Sequence, residues 1–196
     1  MKKFFLLLLA AATFNANAAL ISITTNKDVY NVGETIIATV SATELIDDNA
    51  VQTYFNGYNA LFDFDSLLLS LNISSIVDLG ALGAQPMVGT FGSDGNTLSI
   101  DAIEFIFASS TPFFPGAVFA QEGKDVVELF SFSLLALNAG IIDLTPTSVV
   151  LAQGGNPQSN TIEGTSFEIA QVPAPGTFAL SLLALAGMLF ARKRAK

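Results

Sequence analysis

Apolar and polar residues alternate with a period of two through the middle of this chain, and this alternation limits the fold more than any other feature. In the stretch TIIATVSAT, the apolar residues on one side of an extended chain are Ile36, Ala38, Val40 and Ala42, and only Ile37 breaks the polar side. This spacing is typical of an antiparallel strand with one buried face. No long amphipathic helix is visible outside the termini, so the pattern predicts an all-β domain.

Further stretches extend this prediction. YNALFDFD and LSLNIS each place their apolar residues on one side, namely Tyr58, Ala60, Phe62 and Phe64 in the first and Leu69, Leu71 and Ile73 in the second. In TLSIDAIEFIF the apolar phase changes, which predicts a bulge near Ala102. LFSFSLLAL and SVVLA are almost wholly apolar, which favours central strands. Asp94-Gly95 indicates a tight turn between strands.

These segments together predict about nine strands in an immunoglobulin-like or jelly-roll β-sandwich. The sandwich is expected to occupy residues 19–171, between a signal peptide at residues 1–18 and a tail at residues 172–196. Within it, SLLLSLN could also hold one turn of helix.

Cysteine and histidine are both absent from the 196 residues. Their absence excludes disulfides and thiolate metal sites. It also removes the commonest general base near neutral pH and excludes Ser-His-Asp and Cys-His nucleophilic sites. We therefore expect no enzymatic activity. A carbohydrate-active protein with two catalytic carboxylates is the weaker alternative.

Charge is divided sharply along the chain. All 17 acidic residues lie between Asp28 and Glu168. Two basic residues belong to the same region, Lys27 directly before it and Lys124 within it, so the middle region carries a formal charge of −15. Such a domain repels nucleic acid and attracts divalent cations or basic partners. The alternative is that the charge only keeps an extracellular protein soluble.

The N-terminal segment MKKFFLLLLAAATFNANA has the three parts of a secretory signal peptide. Lys2 and Lys3 form the charged start, and an apolar run follows. Ala16 and Ala18 satisfy the small-x-small cleavage rule, so the mature chain is expected to begin at Ala19. This segment predicts export.

The C-terminal segment combines a short apolar run with a basic cluster. Residues 177–191 are expected to form a transmembrane helix, although their apolar part spans only about 21 Å of a hydrocarbon core of roughly 30 Å. Arg192, Lys193 and Arg194 would stay on the cytoplasmic side. The segment therefore predicts a marginal, temporary anchor, with an ordinary permanent anchor as the alternative.

The tail VPAPGTFALSLLALAGMLFARKRAK resembles the PEP-CTERM sorting signal of Gram-negative bacteria. In that family a Pro-x-Pro motif precedes a short transmembrane helix and an Arg-rich end. The motif here is Pro173-Ala174-Pro175, with Ala174 in place of the usual Glu. The resemblance implies processing by the membrane transpeptidase exosortase. It also implies an inner-membrane precursor that ends at the cell surface or in an exopolysaccharide matrix.

The middle region resembles cohesin-like domains. VGETIIATV, YNALFDFDSLLLSLNISSI and VELFSFSLLALNAGIIDLTPTSVVL follow one another as in that family. DSLLLSL stands where the family often has Asp-Pro before the leucines. The resemblance implies a nine-stranded jelly-roll sandwich and a receptor for a protein partner, which in true cohesins is a dockerin.

The candidates for chemistry are carboxylates. Asp63 and Asp65 lie two residues apart, so a strand would point both to one face. They could act as an acid and base pair or, with Asp94, bind Ca²⁺. The alternative is that Phe62 and Phe64 face the core while both aspartates face water. No other cofactor is indicated. We expect a non-enzymatic binding or scaffolding protein whose extracellular ligand is a protein or a polysaccharide, with no role in nucleic-acid binding.

Overall fold

The structure, a computed structural model, describes residues 18–83, 87–91, 97–103 and 115–172. This part of the chain forms thirteen strands and one short helix. In chain order they are β1 Ala19–Thr25, β2 Val29–Asn31, β3 Thr35–Thr43, β4 Gly57–Asp63, β5 Leu69–Asp78, β6 Met87–Phe91, β7 Thr97–Ile103, α1 Pro115–Gln121, β8 Val127–Ala136, β9 Gly140–Leu144, β10 Pro146–Gln153, β11 Asn156–Pro157, β12 Asn160–Glu163 and β13 Thr165–Ala170.

The strands form three sheets. Two have five strands, in the orders β12-β1-β3-β8-β5 and β11-β10-β4-β7-β6, and the third has the order β2-β13-β9. Neighbouring strands are antiparallel except in two pairs, β1 with β12 and β2 with β13, which are parallel. The strand number exceeds the predicted nine because β2, β11 and β12 have only two to four residues. Segments that short are too brief to show an alternation in the sequence.

The two five-stranded sheets pack face to face around an aromatic centre. The Phe62 ring on β4 lies 5.2 Å from the Phe132 ring and 6.1 Å from the Phe130 ring, both on β8. Tyr58 stacks on Phe130 from the same strand as Phe62. Edge-on and stacked contacts of this kind add to the large apolar area that aromatic residues bury.

The predicted buried faces of β3, β4 and β7 are confirmed. The residues on these faces are all buried: Ile36, Ala38, Val40, Ala42, Tyr58, Ala60, Phe62, Phe64, Leu98, Ile100 and Ala102. Ile37, which interrupted the pattern, is 47% exposed on the outer side of β3. The apolar strand β8 lies inside its sheet, between β3 and β5, as expected of a central strand.

One detail of the predicted pattern differs in the structure, and another lies at the edge of the described residues. Ile73 does not share the buried face of Leu69, because the pairing of β5 with β8 shifts between Asn72 and Val77. The backbone amide of Ser133 donates to the Ser75 Oγ atom across this bulge. The predicted bulge near Ala102 is not tested, because β7 ends at residue 103 and the apolar residues beyond it lie outside the described part.

Two glutamines connect α1 to the loops at one end of the sandwich: Gln121, the last residue of α1, and Gln52. The fully buried Gln121 side chain donates to the carbonyl oxygens of Phe55 and Ala81, at 2.7 and 3.0 Å, and accepts from the Phe55 amide. Gln52 donates to the carbonyl oxygens of Gln121 and Lys124. Because buried amides must find partners, these bonds tie the helix to two loops.

The third sheet packs its apolar side on the core and carries the chain toward the tail. Tyr30 on β2 meets Phe167 on β13 edge-on, with ring centroids 5.4 Å apart. The Tyr30 hydroxyl donates to Asn26 Oδ1 and accepts from the Lys27 amide. β13 is the middle strand of this sheet and ends two residues before Val172, the last described residue.

Candidate binding face

The outer side of β4, β7 and β10 forms a polar surface that we call the β4 face. Because side chains alternate along a strand, it presents the residues of these strands that do not enter the core. They include Asn59, Leu61, Asp63, Thr97, Ser99, Asp101, Ile103, Thr147, Ser148 and Val150. The strand register places Leu61 beside Ser99 and Asn59 beside Asp101.

Asp63 is held at one corner of the β4 face by two threonines. Thr147 Oγ1 donates to Asp63 Oδ2 at 2.8 Å, and Thr97 Oγ1 donates to Asp63 Oδ1 at 3.3 Å. These donors come from the strands on either side of β4. The carboxylate is therefore exposed but restricted in position.

Asp101 is held in a similar way one strand across. Asn59 Nδ2 donates to Asp101 Oδ1 from the directly opposite position on β4. Strand geometry separates the Cα atoms of Asp63 and Asp101 by about 14 Å, and the half-buried Leu61 lies between them. The face thus presents two fixed carboxylates beside an aliphatic side chain.

Both carboxylates of the β4 face are bound by neutral donors. The ion pair found in the described part of the chain, between Lys27 and Glu34 at 3.1 Å, lies elsewhere. A fixed, exposed carboxylate that accepts from neutral groups keeps its charge and further lone pairs for a cationic partner. The face is therefore suited to Lys or Arg side chains of another molecule.

The opposite outer surface, which we call the β3 face, has a different chemistry. It consists of the outward residues of β1, β3 and β8, most of which carry hydroxyl groups. Thr39 lies beside Thr24 and Ser131, and Ser41 lies beside Ser22. On β8 this face presents one carboxylate, that of the exposed Glu128. Hydroxyl groups bind water readily, so this surface offers little charge to select a partner.

The predicted pair Asp63 and Asp65 makes separate hydrogen bonds in the structure. Phe62 and Phe64 face the core and both aspartates are exposed, as the alternative interpretation held. Asp65 accepts from the Leu67 amide at 2.8 Å and begins the turn before β5, where one helical turn had been considered. Among the described residues no three acidic side chains cluster as metal ligands would. Asp94 lies outside the described residues.

Most of the predicted terminal residues also lie outside the described part of the chain. These are Ala16 of the signal peptide, Pro173, Ala174 and Pro175 of the sorting motif, and Arg192, Lys193 and Arg194 of the basic cluster. Ala18 directly precedes β1, and the buried Ala19 is its first residue, paired with Asn160. In the described segments, no helix combines the length and the apolar character that a membrane crossing needs.

The sequence did not single out Asp101, Asn59 or the glutamine pair. Asp101 lies in the alternating segment TLSIDAIEF, where its outward position was readable. Its neighbour Asn59 comes from a strand 42 residues away, and only the register brings the two together. Nothing nearby in the sequence marks Gln121 as buried.

The two packed sheets and their strand order belong to one class of fold, the cohesin-like β-sandwich. Neither a family model nor a curated protein matches the sequence of this chain. The fold, however, matches solved structures of cohesins. A type II cohesin domain from the cellulosome of Acetivibrio cellulolyticus has a TM-score of 0.56 at 13% identity, over 76% of this chain and 95% of that one.

Two further cohesins show the same similarity. A non-cellulosomal cohesin from Archaeoglobus fulgidus has a TM-score of 0.54 at 10% identity, over 82% of this chain and 97% of that one. The cohesin of a type I cohesin–dockerin complex from Clostridium thermocellum has a TM-score of 0.55 at 7% identity, over 81% and 97%. At these identities the similarity establishes the fold, and the expected cohesin-like sandwich is confirmed.

Proposed function

We propose that this protein is an exported, non-enzymatic binding module that captures a basic protein partner on its β4 face. The observation that carries this proposal is the pair of fixed carboxylates, Asp63 and Asp101, on the open face of a cohesin-like sandwich. Cations of a partner would replace water at oxygens that are already oriented, which lowers the entropy lost on binding.

The comparisons support a protein partner over a polysaccharide. The Clostridium thermocellum neighbour was solved in complex with a dockerin, so this fold can present a surface to another protein. Stacking platforms for sugar rings are usually aromatic, and the outward residues of β4, β7 and β10 include no aromatic side chain in the described part of the chain.

We further propose that the sandwich reaches the cell surface or the extracellular matrix through its two terminal segments. The signal sequence would direct export, and the PEP-CTERM-like tail would hold a precursor in the inner membrane until an exosortase acts on it. The support is the order of the motif Pro173–Pro175, the apolar residues 177–191 and the basic cluster. Export places the acidic β4 face where extracellular basic proteins can reach it.

Affinity capture tests the binding proposal. The exported protein, carrying an affinity tag, is incubated with extracellular proteins of its host, and bound proteins are identified by mass spectrometry. The Asp63→Asn and Asp101→Asn variants keep the size of each side chain but remove its charge. Glu128→Gln on the β3 face is the matched control, because it removes one charge from the other sheet.

The expected result is capture of an extracellular protein that binds each β4-face variant about tenfold or more weakly than it binds the original chain. Its affinity should also weaken as salt is added. Glu128→Gln should leave it unchanged. Equal losses for all three variants would indicate a general effect of net charge. Unchanged binding in both aspartate variants would show that the partner binds elsewhere.

A further inference from the structure

The end of the sandwich from which the chain leaves toward the tail has a defined set of loops, and we call it the tail end. The Val32 amide donates to the carbonyl oxygen of Ala170, the last residue of β13, at 3.1 Å. The Gly33 amide donates to Ala136 at the end of β8, and the Leu137 amide donates to Leu68 before β5. These bonds join the four chain segments of the tail end.

Three aliphatic side chains are exposed at the tail end. Leu67 is 72% exposed, Ile141 is 76% exposed and Val172 is 52% exposed. Asn138 Nδ2 donates to the Leu67 carbonyl oxygen at 2.6 Å, which ties the Leu67 loop to the turn before β9. Ile141 is the second residue of β9, directly after that turn, and the side chain of Leu68 lies about 3.4 Å from where a Cβ atom on Gly140 would be. The segments that carry Leu67 and Ile141 are therefore neighbours.

The length of the following chain places the tail end close to the membrane. Six residues lie between Ala170, the end of β13, and residue 177, where the expected transmembrane helix begins, so seven Cα-to-Cα steps join the two. Fully extended, seven residues reach at most about 25 Å, and prolines in an extended conformation reach slightly less. Once the apolar run is inserted, the folded domain cannot move farther from the bilayer than this.

We infer that the tail end rests on the lipid surface while the precursor is anchored, with Leu67 and Ile141 entering the interface between headgroups and acyl chains. This inference rests on the proposed membrane anchor. The free energy falls when aliphatic side chains leave water, and the short tether keeps their effective concentration at the membrane high. Two exposed side chains alone would not retain a domain that has lost its tether.

The charges around this patch indicate which lipids it fits. Asp65 lies two residues before Leu67, and Glu168 pairs with Ile141 across the third sheet. These carboxylates repel anionic headgroups. The patch therefore fits a zwitterionic surface, and contact should weaken as anionic lipid is added.

A second group of exposed apolar residues lies at the opposite end of the sandwich and provides a control. Val51 is 61% exposed in the loop that follows β3. The Leu45 amide in the same loop donates to the carbonyl of Asp125, two residues before β8. The length of the sandwich separates this loop from the tether. A membrane contact through the tail end leaves Val51 in water.

Tryptophan fluorescence tests this inference, because the chain contains no tryptophan. The full chain is reconstituted into phosphatidylcholine vesicles as single variants Leu67→Trp, Ile141→Trp and Val51→Trp. Each position is more than half exposed, so the indole should not disturb the fold. Vesicles containing lipid with bromine near the headgroup end of the acyl chain quench only an indole that enters the interface.

The expected result is a blue-shifted emission and a loss of intensity in brominated vesicles for Leu67→Trp and Ile141→Trp, with neither change for Val51→Trp. Flotation of the vesicles measures insertion separately. If the protein floats but all three variants are quenched equally or not at all, the tail-end contact is wrong and the anchor stands. If the protein does not float with the vesicles, both the anchor and the contact are wrong.

Discussion

Gly164 lies so close to Thr145 that a Cβ atom placed on Gly164 would be 1.8 Å from the Thr145 Oγ1 atom and 2.8 Å from its Cβ atom. This contact occurs where the chain passes from β12 into β13 and changes sheet. Gly164→Ala should therefore destabilise the domain by about 2–3 kcal/mol, because the backbone must move to relieve the overlap. Urea unfolding of the original protein and of Gly164→Ala measures the difference in unfolding free energy.

Gly140 is the matched control for this substitution. A Cβ atom on Gly140 would meet only the flexible end of the Leu68 side chain, at 3.4 Å. Gly140→Ala should change the unfolding free energy by less than about 1 kcal/mol. Thr145→Gly, added to Gly164→Ala, should restore part of the loss. If both alanine variants are equally stable, the close contact does not limit the fold.

Replacement of Gln121 by methionine should destabilise the domain by about 3 kcal/mol. The substitution keeps the approximate size of the side chain but leaves the amide and carbonyl of Phe55 and the carbonyl of Ala81 without this partner in a buried site. Gln52→Met should cost less, about 1–2 kcal/mol, because two of its three partners, Gly123 and Lys124, are exposed and water can replace their bonds, and only the Gln121 carbonyl is partly buried. Equal losses in thermal or urea unfolding would contradict this difference.

Glu34 should make the stability of the domain depend on pH in the acidic range. The Asn31 backbone amide and the Lys27 ammonium, which both donate to its carboxylate, hold the pKa of Glu34 below its usual value. A lowered folded-state pKa gives stability that is present above the unfolded pKa and is lost as pH falls through the folded pKa.

Glu34→Gln should therefore be less stable than the original protein at neutral pH, and the gap should close as the pH falls through the lowered folded-state pKa of Glu34. Glu163→Gln on β12 is the control for removal of one negative charge. Urea midpoints measured across this pH range give the result. A gap that is constant with pH would mean that the ionised carboxylate is not what stabilises the turn.

The buried and exposed faces of the long strands were predictable because apolar and polar residues alternate locally along each strand. Val40 and Phe62 occupy the core as their spacing indicated. Ile73 was placed wrongly, because a bulge in β5 changes the phase of the strand and the Ser75 hydroxyl that satisfies the bulge gives no apolar signal. Local periodicity therefore predicts the strands better than it predicts their irregularities.

The candidate site was less predictable because it depends on register. Asp63 was recognised, but it had been paired with Asp65, its neighbour in sequence. The structure gives it Thr97 and Thr147 as partners, which lie 34 and 84 residues away. A single sequence contains no direct signal for such distant pairs, whereas the fold class follows from composition and alternation alone.

The basic cluster at the C-terminus should retain the precursor in the membrane. Substitution of Arg192, Lys193 and Arg194 by serine removes the charges that resist translocation, so a larger fraction of the protein should appear in the medium. Immunoblots of membrane, surface and medium fractions measure the shift. An unchanged distribution would indicate that the tail does not act as a stop.

The prolines of the joint should be needed for processing rather than for insertion. Pro173 and Pro175 favour an extended conformation that a protease can reach. Alanine at both positions should leave a full-length protein in the membrane, while the original protein shortens only in a host that has an exosortase. A protein that remains full-length in hosts with and without the enzyme would identify the tail as an ordinary anchor.

The position of β13 between two strands has a mechanical consequence. β2 runs parallel to it and β9 antiparallel, and its last residue leads toward the tail. When a partner holds the β4 face and the tail is anchored, a pulling force runs lengthwise along β13. The hydrogen bonds from β13 to β2 and β9 are then loaded in shear and share the force, whereas a force across the strands would break them one by one. If the proposed anchor and partner are correct, this arrangement lets the domain carry a load between them.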